Sequence, residues 1–202
     1  MVATALNIKT KKHSTSERLY SVEEYYKLEE KSIYKHQYHS GKIIPIEGAS
    51  VKHNLLATKI SILIGFFLMK NLLKLKISNS DTKVRINSYN KIVYPDAVVI
   101  CEVPEYFEDR NDTITNPLIV VEISSPSTSK HDRTTKFEMY ATIPSFKEYV
   151  LIDQDIQRVS VWSKQKDGSW MPKMYLGEDS VIILEAINNC PISLKDLYGG
   201  LE

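Results

Sequence analysis

Apolar and polar positions change period several times along the chain, and each change marks an element. Residues 1 to 18 have no apolar period. With Lys9, Lys11 and Lys12 and no acid before Glu17, they read as a mobile tail. Ser21 followed by Glu24 is a capping-box spacing that starts a short helix running to Glu30. Ile33 to Ile46 holds Ser40-Gly41 between two alternating stretches, the pattern of a β-hairpin. From His53 to Leu73 the period becomes helical, with Leu56, Ile60, Leu63, Phe67 and Leu72 on the apolar side, and a buried helix is expected.

Strand patterns then take over. Thr82 to Ile86 is one strand, and Tyr94 to Ile100 another, with Pro95 at its entry where a missing N–H is tolerated. Residues 103–116 are acidic and turn-like. Pro117 to Ser124 is almost continuously apolar, as a strand covered on both faces must be. Ser129 and Asp132 begin a helix that stops before Ile143-Pro144. Lys147–Ile152, Val159–Ser163, Trp170–Leu176 and Val181–Leu184 are strands, with Asp167-Gly168 as a hairpin turn. Together these elements predict one α/β domain over residues 19–202, a mixed β-sheet core flanked by helices with C-terminal β-hairpins.

Composition narrows the function classes without naming one. Lys plus Arg number 26 against 25 Asp plus Glu, which excludes a generally polycationic nucleic-acid coat and an acidic disordered chain. No GxGxxG or GxxxxGK[ST] occurs, so no glycine-rich nucleotide cradle is expected. Cys101 and Cys190 form no CxxC pair, which speaks against zinc or a disulfide framework and for a reducing, cytoplasmic setting. The N-terminus lacks a secretory pattern. The run Ser61 to Met69 is flanked by Lys59 and Lys70 and is too short to span a membrane.

Chemistry enters at Glu122, a carboxylate inside Leu-Ile-Val-Val-Glu-Ile. Such a group is costly to bury without a partner or a metal. Asp96 opens the preceding apolar strand, and pairing of the two strands brings both acids to one end of the sheet. Two hard oxygen donors with room for water suit Mg²⁺ or Mn²⁺. Lys136 follows on the next helix, where its ammonium reaches the rim. There it orients an attacking water or stabilises charge at phosphorus.

These residues carry a resemblance. Tyr94-Pro95-Asp96 with Val121-Glu122-Ile123-Ser124 resembles the PD-(D/E)XK nuclease signature. The wider run from Val121 to Thr128, with Asp132-Arg133, Lys136-Phe137, Tyr140, Lys147-Glu148-Tyr149 and Asp153, is similar to the Uma-type restriction-endonuclease family. The similarity extends from about Ser21, through Gly41 to Ile44 and His53-Asn54, to Leu197-Tyr198. It implies a restriction-endonuclease-like α/β core, divalent-metal-dependent cleavage of DNA leaving a 5′-phosphate, and homo-oligomers, a dimer foremost. By this resemblance Asp96, Glu122 and the Ile123 carbonyl hold the metal. Lys136 takes the place of the triplet lysine, which is Ser124 here, and Gln37 stands where the family has a glutamate. Gln37 and His53 are assigned supporting roles. The amide of Gln37 can orient a water but supplies neither charge nor a carboxylate base.

Plainer alternatives stand beside each assignment. Asp96 can be a strand-entry cap, Glu122 a structural partner of Arg133 or Lys136, and Lys136 a solvated helix lysine. Asp81 is a further metal acid or a turn cap. His36 and His39 lie three apart on one strand, so they face opposite ways and share no metal. His131 is expected to be exposed. The Ser124 to Thr128 cluster lacks the Gly-x-Ser-x-Gly elbow of a serine nucleophile. Lys70, Lys74 and Lys76 form one basic group, and Lys130 with Arg133 another, each a phosphate contact or a solvated face. The rival function is a catalytically silent nuclease-fold module that binds nucleic acid or a protein. A third reading is a structural dimer through the C-terminal hairpins, with Trp162 and Trp170 as anchors.

Overall fold

The computed structural model describes residues 18–124 and 132–201. The tail assigned to residues 1–18 lies outside them except for Arg18, as do Ser129, Lys130 and His131. Helix α1 spans Val22–Glu29, with Ser21 and Glu24 capping each other's backbone N–H as their spacing requires. Strands β1 (His36–His39) and β2 (Lys42–Pro45) form the expected hairpin. Its turn needs positive φ at Ser40 and Gly41, and a Cβ on Gly41 would sit 3.0 Å from Leu19. Helix α2 (Val51–Lys70) follows, N-capped by Ser50.

Next come β3 (Lys76–Asn79), β4 (Lys83–Ile86), β5 (Lys91–Val93), β6 (Ala97–Ile100), β7 (Thr113–Ile114) and β8 (Pro117–Ser124). A π-helical turn, Asp132–Lys136, runs into α3 (Phe137–Ala141). The chain then adds β9 (Glu148–Asp153), β10 (Arg158–Lys164), β11 (Trp170–Leu176), β12 (Val181–Leu184), β13 (Cys190–Ser193) and α4 (Leu194–Tyr198).

The strands make three sheets rather than one. A six-stranded sheet, β11-β10-β9-β8-β6-β3, forms the central layer, with β8 and β9 parallel and the other pairs antiparallel. A five-stranded sheet, β2-β1-β5-β4-β7, covers one of its faces together with α3. The other face carries α2, the β12–β13 pair and α4. Side chains on β8 therefore alternate between two cores. Ile119, Val121 and Ile123 pack with Leu56, Ile60, Ile64 and Leu68 of α2, while Val120 joins Val84, Tyr140 and Tyr149. Both faces of β8 are dry, which is why its sequence is apolar throughout.

One expectation changes here. Only one side of α2 is buried, through Leu56, Ile60, Ile64 and Leu68, and Leu72 is 88% exposed beyond the helix end. α2 is long and apolar enough to cross a membrane by composition, yet that buried side ties it to the central sheet. The Phe137 ring packs 5.6 Å from Trp162 and 5.2 Å from Trp170, so both indoles serve the packing of α3 on the sheet.

Candidate active site

Strands β6 and β8 run antiparallel with Ala97 opposite Val121. The residue entering β6 and the residues leaving β8 therefore meet at the same end. Asp96 lies one residue before Ala97, and its Oδ2 accepts the Ile123 backbone N–H at 2.7 Å. In such a ladder the N–H and C=O of one residue face the same neighbour, so the Ile123 carbonyl opens toward Asp96 as well. The Glu122 side chain points to the face of β8 opposite the Ile123 side chain and is 3% exposed. Its Oε2 accepts from Lys136 Nζ at 2.9 Å and its Oε1 from the Tyr140 hydroxyl at 3.0 Å. The helical segment after β8 thus supplies two donors four residues apart to one buried carboxylate.

His53, in the first turn of α2, reaches in from the other side. Its Nε2 lies 2.9 Å from Asp96 Oδ1. The hydrogen bond to Asp96 raises the imidazole pKa, burial opposes it, and the charges of Asp96 and Glu122 add to the rise. The Tyr140 hydroxyl is held well above the usual phenol range by burial first and by the Glu122 charge next. His53 and Asp96 line a cleft of about 420 Å³ whose lip carries Ile33, Tyr34 and Lys35. The side chains of His53, Asp96 and Lys136 keep 17, 18 and 24% exposure, so the cluster is open to a ligand while Glu122 is not open to bulk water.

Four predicted residues, Asp96, Glu122, Lys136 and His53, come together, with the Ile123 backbone among them. Gln37 lies on β1, with its Oε1 2.8 Å from His39 Nε2. His36 turns the other way to Glu29, as strand alternation requires. Asp81 is 71% exposed and pairs with Lys35 at 2.6 Å. Within the Lys70–Lys76 group, Lys74 pairs with the Glu102 carboxylate and Lys76 donates to the Glu102 carbonyl. Of the other basic group, Lys130 and the Arg133 side chain lie outside the described residues.

Two supporting residues escaped the sequence reading. Glu29 of α1 accepts from the Tyr94 hydroxyl at 2.7 Å, and from the His36 N–H. It thereby anchors the Tyr94-Pro95-Asp96 turn to the first helix. Tyr140 enters the sequence reading only within the resemblance, with no role attached, and the structure gives it a bond to Glu122. A tyrosine one turn from the lysine was the only available signal.

Comparison with known proteins fits this geometry. Residues 22–194 match the Uma2 family model, described as "Putative restriction endonuclease". Two proteins of Synechocystis sp. (strain ATCC 27184 / PCC 6803 / Kazusa) are each 34% identical. "Uncharacterized protein sll1609" aligns over 82% of this chain and 92% of its own, and "Uncharacterized protein slr1290" over 79% and 82%. The crystal structure of "a putative nuclease belonging to DUF820 from Anabaena variabilis ATCC 29413" superimposes with a TM-score of 0.68 at 21% identity. It covers 89% of this chain and 98% of that one, a likeness of fold. With a family model spanning nearly the whole described chain, this protein belongs to the Uma2 family and has its restriction-endonuclease-like α/β fold.

Proposed function

We propose that the protein is a divalent-metal-dependent endonuclease that hydrolyses DNA phosphodiester bonds in the cytoplasm, working as a homo-oligomer. The observation that carries this reading is the meeting of Asp96, Glu122, Lys136 and His53 at one end of β6 and β8. Among the described residues no three His, Cys, Asp or Glu side chains form a metal cage. Two carboxylates and a backbone carbonyl are instead the sparse oxygen set that suits Mg²⁺ or Mn²⁺, whose remaining positions go to water and phosphate. Asp96, Glu122 and the Ile123 carbonyl would hold the ion. When bound, it supplies charge neutralisation at the phosphoryl group and a more acidic water.

The chain's own groups do the rest. Lys136 keeps its ammonium at the rim of the carboxylate pair, where it orients the attacking water and stabilises charge on the phosphoryl oxygens. Tyr140 fixes Glu122 from behind. Asp96 holds the His53 ring through Nε2, and the proton the ring exchanges passes at the other ring nitrogen, Nδ1. Water adds to phosphorus, the bond to O3′ breaks, and the departing oxygen takes up a proton. The products are a 5′-phosphate and a 3′-hydroxyl.

The test is cleavage of plasmid and oligonucleotide DNA with Mg²⁺ or Mn²⁺, wild type beside Asp96→Ala and Lys136→Ala. Wild type should cut, and each variant should lose on the order of 100-fold or more in rate. Equal rates in all three would sink the assignment.

One observation favours a second reading, a binding module without turnover. Gln37 brings no carboxylate, and its amide oxygen is taken by His39. Calorimetric titration separates the two: DNA binding with no uptake of Mg²⁺ or Mn²⁺ would favour the module.

A further inference from the structure

We propose that the outer stripe of α2 is the surface on which a second copy of this chain docks. This names the partner for the oligomer proposed above, and its test reads mass rather than cleavage, so either reading can fail alone.

α2 is apolar on two opposite sides, and the molecule uses only one. Leu56, Ile60, Ile64 and Leu68 face the central sheet. At about 100° per residue, Leu55, Ile62 and Met69 lie on the opposite side, stacked seven residues apart. They are 43, 61 and 71% exposed. Phe66 beside them is 62% exposed and Val51, at the same stripe's start, 76%. The intervening heptad positions are Val51, Thr58 and Gly65, and Gly65 lets Ile77 of the same molecule pack close beside the seam, where a Cβ would meet it at 3.4 Å. Such a straight seam over three heptads is a helix-pairing surface, whereas helices that serve only their own core show a single stripe.

Area and charge select a second copy as the occupant. Five large apolar side chains this exposed present several hundred Å², approaching the roughly 800 Å² per partner of a standard interface and large for an unpartnered surface. Lys52, Lys59 and Lys70 line one flank of the seam, while Asn54 and Ser61 line the other, and α2 carries no acid. A twofold axis parallel to the helix sets the basic flank of one copy against the neutral flank of the other, so lysines do not meet. Lys59 is also turned away from the seam, to the Asp196 and Gly199 carbonyls. The neutral flank borders a groove of about 720 Å³, walled by Phe66 and Met69 and ending at Asp96. A copy seated on the seam would close the open side of that groove beside the candidate centre.

Sedimentation equilibrium from about 1 to about 100 µM decides the matter. Wild type should approach twice its 23.2 kDa mass. Ile62→Glu with Phe66→Glu, at sites that leave the core untouched, should stay folded by circular dichroism and associate on the order of 30-fold or more weakly. Should that variant not fold, Ile62→Cys in a Cys101→Ser background supplies the readout: a short bismaleimide should yield a covalent dimer. A monomer at every concentration, a dimer that survives the double substitution, or no cross-linking through Cys at 62 would each overturn the proposal. A monomer that floats with anionic phospholipid vesicles would assign the stripe to a membrane surface instead.

Discussion

Glu122 is nearly out of water at 3% exposure, and donors from Lys136 and Tyr140 meet both of its oxygens. Removing one partner of such a pair leaves a buried charge uncompensated, at a cost of about 3–5 kcal/mol. Lys136→Met should therefore destabilise the protein by about that much in urea, with Lys136→Met/Glu122→Gln recovering most of the loss. A double variant as unstable as the single would show that the pair is not coupled. Glu148 makes a second, separate prediction. It is 1% exposed and accepts from Ser163 Oγ and from the Glu185 and Ala186 N–H groups. Burial nonetheless outweighs those donors and pushes its pKa up to about 7. The folded state then holds this proton more tightly than the unfolded state, so stability falls as pH rises from the ordinary carboxylate range through about 7. Between pH 5 and 8 the stability difference between wild type and Glu148→Gln should change by on the order of 3 kcal/mol. A constant difference across that range would place the Glu148 pKa near its ordinary value. Asp96 and Glu122 could be picked out because a charge in an apolar run or just before one breaks the pattern, whereas Lys136, in a polar stretch, stands out only through its place on the next helix and the family resemblance. Glu29 could not, because its partners are Tyr94, far along the chain, and the His36 backbone; Glu148 also opens an apolar run, but nothing in the run announces its partners, Ser163 and the Glu185 and Ala186 backbone.

The same contrast holds among the elements. α1, the β1–β2 hairpin and β8 are written in local signals: a capping box, a Ser-Gly turn and a continuous apolar run. β3, β5 and β7 are two to four residues long and owe their pairing to strands distant in sequence. β3 begins at the Lys70–Lys76 basic group and β7 lies in the acidic, turn-like segment 103–116, while β5 falls between two expected strands with no pattern of its own. β13 escaped for the same reason, since it exists by pairing with β12. α2 misleads in the other direction, because an apolar period on two sides conceals which one the sheet covers. Ile64→Ala, on the covered side, should cost about 2–5 kcal/mol in thermal or urea unfolding. Loss below about 1 kcal/mol would mean the wrong side has been assigned to the core.

Across the whole molecule, 26 basic and 25 acidic side chains leave a net charge of +1. Some of the positive charge is paired at short range: Lys35 with Asp81, Lys74 with Glu102, Lys83 and Arg110 with Asp112, Lys173 with Glu185. With so little net charge, the proposed DNA contact is expected at the cleft rim rather than over the whole surface. Binding to a short duplex should weaken with salt at a log–log slope of about −3 to −5, well short of the roughly −10 of a protein that grips DNA over a broad surface. A slope near zero would remove the phosphate backbone from the account. The most direct measurement is anomalous diffraction from crystals soaked in Mn²⁺. The account predicts a peak within about 2–2.3 Å of oxygens from both Asp96 and Glu122, with the Ile123 carbonyl beside it. A peak elsewhere, or none at saturating Mn²⁺, would contradict it.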